Sequence, residues 1–299
     1  RDWVQNSNDS FWMSNPAIDW PEITPLVGWT GEPQSLRTRS GLYEIGQRVA
    51  GTDGIAPHAK VGIAEVQAML FRNRNHAAFM VLDDFLPVCR EAGGEAERAG
   101  CAVLAAWDRH NNLDSRGEHV FREWWRAAKA IKDVWRRPFD PADAANTPAG
   151  LATDKPEVRA ALLKALDDAV ATVRAAGFAL DAPLREVQTY TTREGHIGLH
   201  GGPEFEGVLN KVETGDRGPL EAGGYEIDFG SSYIQTVTFD DRGPVAEAMM
   251  VYGQSSQADS PLNFDQLPLY TGKQWMRLPF HAEDVARERV GEALRLELR

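Results

Sequence analysis

Cysteine is scarce in this sequence: there are two among 299 residues, Cys89 and Cys101. Two thiols cannot build the disulfide framework of a small secreted scaffold, and no Cys-x-x-Cys spacing points to zinc. Positive charge is also in short supply. Thirty-two Lys and Arg face forty-four Asp and Glu, for a formal net charge of −12. No basic run supplies a compensating patch, which argues against a nucleic-acid partner. Apolar runs fall far short of the roughly 20 residues a bilayer helix needs, so no membrane span is expected. The seven histidines are scattered. His196 and His200 stand four apart, but they flank Gly198 and precede Gly201-Gly202, a strand-and-turn context rather than a helical metal-binding face. No phosphate-cradling glycine loop and no Gly-x-Ser-x-Gly elbow is present. The first residue is Arg1 and no signal peptide is present within the sequence, which leads us to expect a processed chain or a piece of a larger precursor.

What is present is ordinary globular composition, 42% hydrophobic and 25% charged, with length for one large core or two modest ones. Gly- and Pro-punctuated chain runs to Pro33. Helical periodicity follows over Ser35–Val49, where Leu36, Leu42, Ile45 and Val49 form an apolar stripe, and continues over Ile63–Phe71, Ala77–Cys89 and Ala99–Trp107. Ser115-Arg116-Gly117-Glu118 has the spacing of a capping box and opens a helix carrying Val120, Phe121, Trp124, Trp125, Ala128, Ile131 and Trp135. At helical spacing that aromatic stripe reads as core rather than a stacking platform. Pro138–Pro156 reads as a connection. Another helix follows, capped by Asp154 and Glu157 and ending at Gly177. From about Gly195 the period becomes two: Tyr225–Phe229, Tyr233–Phe239 and Val245–Tyr252 alternate like half-buried strands, with Asp240-Asp241-Arg242-Gly243 as a turn. A last charged helix spans about Ala282–Leu298. Helices first and an antiparallel meander after them predict an α+β body with a helical lobe. Cys89 and Cys101, twelve apart in successive helices, fit a bridge or two buried thiols equally well on residues alone.

Chemistry has one conspicuous candidate location, the opening stretch Val4-Gln5-Asn6-Ser7-Asn8-Asp9-Ser10-Phe11-Trp12-Met13-Ser14-Asn15-Pro16. Asn amides both donate and accept, and a loop after a strand end presents such groups well; an Asx-rich turn is the bland alternative. Asp83-Asp84 reads as helix surface and Asp240-Asp241 as a turn. The serines at 231–232 and 255–256 have no His at a readable spacing.

The opening stretch resembles the catalytic-asparagine segment of the penicillin acylase family of N-terminal-nucleophile amidohydrolases. Four later stretches carry the same resemblance: Leu36-Arg37-Thr38-Arg39; Cys101-Ala102-Val103-Leu104 through Trp107-Asp108 with Ser115-Arg116-Gly117; His200-Gly201-Gly202 with Gly207 and Asn210; and Gly253-Gln254-Ser255 through Ser260–Gln266 with Trp275 and Pro279-Phe280. Asn263 departs from a His common in the family.

The resemblance covers the whole chain but only the later part of the family's large subunit. It implies the αββα layered sandwich of that superfamily, with residues 1–35 as the catalytic-Asn strand and loop, 36–194 as a largely helical inserted lobe, and 195–299 as antiparallel strands and a C-terminal helix. It implies a bacterial, periplasmic or secreted acylase that cleaves a linear amide such as an N-acyl homoserine lactone, an acylated lipopeptide or a penicillin. The nucleophile would be an N-terminal Ser upstream of this chain, so the partners are a small acyl-amide substrate and the upstream remainder of the same precursor, and this piece alone would be inactive. Asn8 is matched to the oxyanion-hole Asn, with Asn6 as fallback. Arg39 is the first choice for the Arg that orients it, with Arg37 as fallback. No cofactor is required. Asp19 would give one carboxylate to a structural calcium found in some members, or serve as an ordinary turn residue. Extracytoplasmic members favour a Cys89–Cys101 bridge. The competing readings are a catalytically inactive homologue and a binding module using Trp3, Trp12, Trp20 and Trp29 as a face.

Overall fold

Ser35 begins the first helix as a cap residue should, its side chain accepting the Thr38 N–H at 3.2 Å. Helix α1 (Leu36–Ala50) then runs until Gly51, whose φ of 70° closes it. The structure, a computed structural model, describes residues 3–18, 23–292 and 294–297. Helices continue as α2 (Ile63–Phe71), α3 (His76–Val88), α4 (Glu95–Ala106), α5 (Glu118–Ala128), α6 (Pro156–Ala175), α7 (Leu184–Val187), α8 (Leu267–Thr271) and α9 (Ala282–Glu288). The strands are β1 (Trp135–Arg137), β2 (Ala149–Leu151), β3 (Gln188–Thr192), β4 (Gly195–Gly198), β5 (Val212–Glu213), β6 (Tyr225–Glu226), β7 (Phe229–Gly230), β8 (Tyr233–Asp240), β9 (Gly243–Met250) and β10 (Met276–Leu278). The chain is mixed α and β, as the alternation of periods predicts.

It divides into two compact units, Arg1–Val61 with Ala68–Ser231, and Gly62–Gln67 with Ser232–Arg299. In the first unit the aromatic stripe of α5 is core, as its spacing predicts: Phe121 and Trp124 are fully buried and Trp125 nearly so. Trp124 stacks on Phe85 of α3 with ring centroids 4.4 Å apart. The Trp124 and Trp125 indoles donate to the Leu162 and Phe205 carbonyls at 3.1 and 3.0 Å, so neither N–H is buried unpaired. Leu162, Leu166, Val170 and Val173 of α6 fill the other side. Gly100 lets α4 approach α6, because a Cβ there would lie 2.8 Å from Leu166 and 2.9 Å from Val170. Short sheets border this core: β1 pairs with β2, β3 lies between antiparallel β4 and parallel β6, and β5 pairs with β7. Position 195 opens β4 inside this unit. The second unit is built on the antiparallel sheet β10-β9-β8, its hairpin in register from Tyr233↔Met250 to Asp240↔Gly243. Gln67 donates to Thr236 and Glu247 on it, at 3.1 and 2.7 Å.

Several local expectations are corrected. The buried face of α1 is polar: Thr38, Arg39, Ser40, Glu44 and Arg48 lie inside with Leu42, while Val49 of the supposed stripe is 43% exposed. Paired charges explain this, since Arg48 meets Asp53 at 3.1 Å and Glu44 meets both Arg72 and Arg74. Ser115 does not cap α5. Gly117 does, at φ 106°, while the Ser115 hydroxyl donates to Asp108 at 3.0 Å. The helix stops at Ala128; Asp133 takes φ 55°, and the chain turns back so that Trp135 sits in β1, edge-on to Trp125 at 5.9 Å. Helix α6 is started by Pro156 at its first position, without a side-chain cap from Asp154 or Glu157. The strand expected at Tyr225–Phe229 is split between two sheets. The terminal helix ends at Glu288, ahead of Gly291 at φ 79°.

Cys89 and Cys101 are bonded, with Cα atoms 5.7 Å apart, clamping the end of α3 to α4. The bridge closes a loop of 12 residues. Its loss in a Cys101→Ser variant is expected to cost about 3 kcal/mol, read as a lower denaturation midpoint.

Candidate functional site

The opening loop is held by α1. Asp9 accepts from the Ser35 backbone N–H at 3.0 Å and the Ser35 hydroxyl at 2.7 Å, and it also receives the Thr38 hydroxyl. A carboxylate at a helix N-terminus satisfies orphan donors and complements the helix dipole, so Asp9 latches the loop onto the start of α1. Inside the loop the two asparagines divide their tasks. Asn6 is used up locally: its Oδ1 accepts the Asn8 N–H at 2.8 Å and its Nδ2 donates to the Asp9 carbonyl at 3.1 Å. This Asx turn puts Asn8 in the left-handed region at φ 70°, which Asn tolerates better than most residues.

Arg37 binds the result. Its Nη2 donates to the Ser7 carbonyl at 2.8 Å and to Asn8 Oδ1 at 2.5 Å, and it lies 3.3 Å from Glu204. A guanidinium has no acceptor, so the amide must present oxygen to it, which turns Nδ2 the other way. Asn8 is exposed, and its Nδ2 has no partner among the described residues. The arrangement is an anchored amide offering two N–H donors beside a cation, suited to an oxygen that gains negative charge.

Arg39 does not join this cluster. Two residues along α1 from Arg37, it donates from Nε to the Ala145 carbonyl at 3.0 Å and from Nη1 to the Pro148 carbonyl at 2.9 Å. Burial lowers its pKa to about 10, against the opposing pull of Asp143. Of the two arginines named from the sequence, the structure brings the fallback, Arg37, to Asn8. The segment's helical phase decides this, because residues two apart face different sides. Asp19 and Trp20 lie outside the described residues. No cluster of three His, Cys, Asp or Glu is placed to hold a metal among the described residues. Trp3 and Trp12 pack against the Met13, Leu42 and Ala144 cluster, while Trp29 is exposed, so these three do not form a shared face.

Reasoning from the sequence missed Glu204 and the polar centre behind it. Arg122 donates to Glu206 at 2.9 Å and to Gln188 at 2.9 Å, and pairs with Glu118 at 2.5 Å. The other oxygen of Glu206 accepts from Asn75 and Asn111, each at 2.8 Å. Burial, with Glu206 alongside, pushes the Glu118 carboxyl well above the usual carboxylate range despite Arg122. Gly202 borders this centre so tightly that a Cβ would lie 2.3 Å from the Asn111 amide. The short 3₁₀ turn Glu204–Glu206 thus has Glu206 buried in the network and Glu204 reaching Arg37. The signal available in the sequence was the His200-Gly201-Gly202 stretch, whose glycines mark the close approach.

The model of the family described as penicillin amidase matches residues 1–287. An acyl-homoserine lactone acylase PvdQ of Pseudomonas syringae pv. syringae is 34% identical over 288 residues, covering 95% of this chain and 36% of that protein. The aculeacin-A acylase of Actinoplanes utahensis is 33% identical over 298 residues, with 95% and 36% covered. The chain thus spans about a third of the length of these relatives. A thermostable penicillin G acylase from Alcaligenes faecalis aligns over 98% of this chain and 56% of its own, with a TM-score of 0.45 and 15% identity.

Two outcomes follow from the local physics. Asp9→Ala removes the latch and is expected to cost roughly 1–2 kcal/mol, measured by thermal melting. His76, at the start of α3, has its pKa pushed down to about 3, first by burial and then by Arg74 and Arg39. Below about pH 6.5 the unfolded chain protonates this imidazole and the folded one does not, so stability falls as pH falls. Compared with His76→Gln, the natural chain should lose on the order of 3 kcal/mol more between pH 6.5 and pH 4.

Proposed function

Because the chain belongs to the penicillin amidase family, we propose that it is the oxyanion-holding part of an acylase that hydrolyses a linear amide, R-CO-NH-R′, to an acid and an amine. The nucleophile, an N-terminal Ser whose own α-amine (pKa near 8) acts as base, would come from the part of the protein that this third of the relatives' length does not span. Attack on the carbonyl moves its electron pair to oxygen, where the Asn8 Nδ2 donates. Arg37, bonded to the amide oxygen, polarises that amide and fixes its rotamer, so no reorganisation is needed as charge develops. Collapse of the tetrahedral species expels the amine, and water then releases the acid. On this reading the 299-residue chain has no turnover by itself. The observation that carries the proposal is the Asn8 amide, anchored through its oxygen and open at its nitrogen.

Substrate class follows the names of the relatives, an N-acyl homoserine lactone or an acylated lipopeptide, with penicillins as the third candidate from the family's description. A bacterial periplasmic or secreted location fits the Cys89–Cys101 bridge, since disulfides persist in oxidising compartments.

The test is a product assay of the full-length protein on those three substrate classes, followed by variants. Asn8→Ala is expected to lower kcat roughly 10²–10³-fold with KM little changed, the effect of losing one oxyanion donor. Arg37→Gln should also lower kcat, and Arg37→Lys should restore only part of it, because a point charge does not reproduce the fork. Near-normal turnover in Asn8→Ala would remove Asn8 from the mechanism.

A further inference from the structure

On α1, beside Arg39 rather than Arg37, the first unit has a concavity that the proposed reaction does not use. It has a volume of about 340 Å³ and lies between α1, the start of α3 and residues 145–146. Its lining is unusual for a chain with a net charge of −12: it includes Arg39, Arg74 and His76 and no Asp or Glu. The rest is largely apolar, with Leu42, Phe79 and Met80 contributing.

The cationic groups are built in. Arg39 is 5% exposed, and its Nε and Nη1 are committed to the Ala145 and Pro148 carbonyls, leaving Nη2 without a partner among the described residues. Arg74 is clamped between two rings, its guanidinium carbon 4.4 Å from the Tyr43 centroid and 4.2 Å from the Phe79 centroid. It lies 3.6 Å from Glu44, but Glu44 is shared with Arg72, so the acid neutralises at most one of the two. Asp143, the acid nearest in effect to Arg39, is taken by Arg137 at 2.6 Å. Arg74 Nη1 lies 2.9 Å from His76 Nδ1. A guanidinium can only donate, so Nδ1 accepts and the imidazole carries its proton on Nε2. Burial holds that ring neutral. Arg39 and His76 therefore offer fixed donors beside an apolar wall and two exposed rings, Tyr43 at 45% and Phe79 at 36%.

We propose that this cleft binds a small organic carboxylate with an apolar or aryl body. The carboxylate matches the Arg39 Nη2 donor together with the Arg74 guanidinium, and the body lies along Phe79, Met80 and Leu42. The site is separate from Asn8 and Arg37, and it stands whether or not those residues work as described above.

Isothermal titration of the full-length protein with octanoate and benzoate, and with inorganic phosphate as the charge-only probe, tests this. We expect saturable carboxylate binding that is stronger than that of phosphate. Arg74→Gln should weaken one binding event per chain by roughly tenfold or more, the worth of one charge-assisted contact. Phe79→Ser should weaken the same event while leaving the melting temperature within a few degrees, so that loss of binding is separated from loss of fold. Asn8→Ala should leave it unchanged. Absence of any carboxylate-binding event that the two cleft variants weaken, or phosphate bound in the cleft as tightly as octanoate, would overturn the proposal.

Discussion

Arg122 is the pivot of the first unit. It sits fully inside the protein, donating to Glu206 and Gln188, paired with Glu118, and lying 4.3 Å from the Tyr225 ring centroid. Burial works against its charge, but the two acids outweigh burial and raise its pKa above the ordinary arginine value. Burial, with Glu206 alongside, makes Glu118 retain its proton more readily than a free carboxyl despite Arg122, which lets two acids share one cation in the interior. Breaking such a centre by removing one partner leaves an uncompensated buried group, roughly a 3–5 kcal/mol penalty. Its partners come from six places in the chain: α5, the cap of α3, the loop at Asn111, β3, β6 and the 3₁₀ turn at 204–206. The centre specifies how those segments meet.

That specification extends to the candidate site. Glu206 is fixed in the network, Glu204 is two residues earlier in the same turn, and Glu204 bonds to both Arg37 and Lys211 at 3.3 Å. Arg37 in turn fixes the Asn8 amide. A loop with an exposed Asn in the left-handed region would otherwise sample many states. Here it is tied at two points, by Asp9 to the start of α1 and by Arg37 to the core-anchored turn. Rigid donors aimed before charge develops are what electrostatic stabilisation requires, since any rearrangement during reaction would subtract from it.

Helix α1 presents two polar sides because its buried surface is charged rather than apolar. Arg37 serves the loop, while Arg39 ties the 145–148 segment and borders the cationic cleft. A conventional apolar stripe would have anchored the helix as well, but it would have offered neither site a donor. The burial of Arg39, Glu44 and Arg48 is tolerated because each has carbonyl or ionic partners within reach.

The sequence by itself determined the mixed fold class, the positions of α2, α3 and the β8–β9 hairpin to within a few residues, and the burial of the α5 aromatics. Those depend on periodicity and turn chemistry, which are local. It also singled out the Asn6–Ser10 stretch and the family, through motifs that stand together in the chain. Tertiary structure decided what spacing could not. It separated Asn8 from Asn6, because only the folded loop shows which amide is already used. It brought Arg37 rather than Arg39 to that amide, because helical phase and the position of Glu204, 167 residues away, set which arginine arrives. It made Gly117 the cap of α5 and sent Glu118 inward to Arg122, because a buried cation needs acids more than a helix end needs a capping box. Partners distant in sequence leave no periodic trace, and both the network and the site it supports are made of such partners.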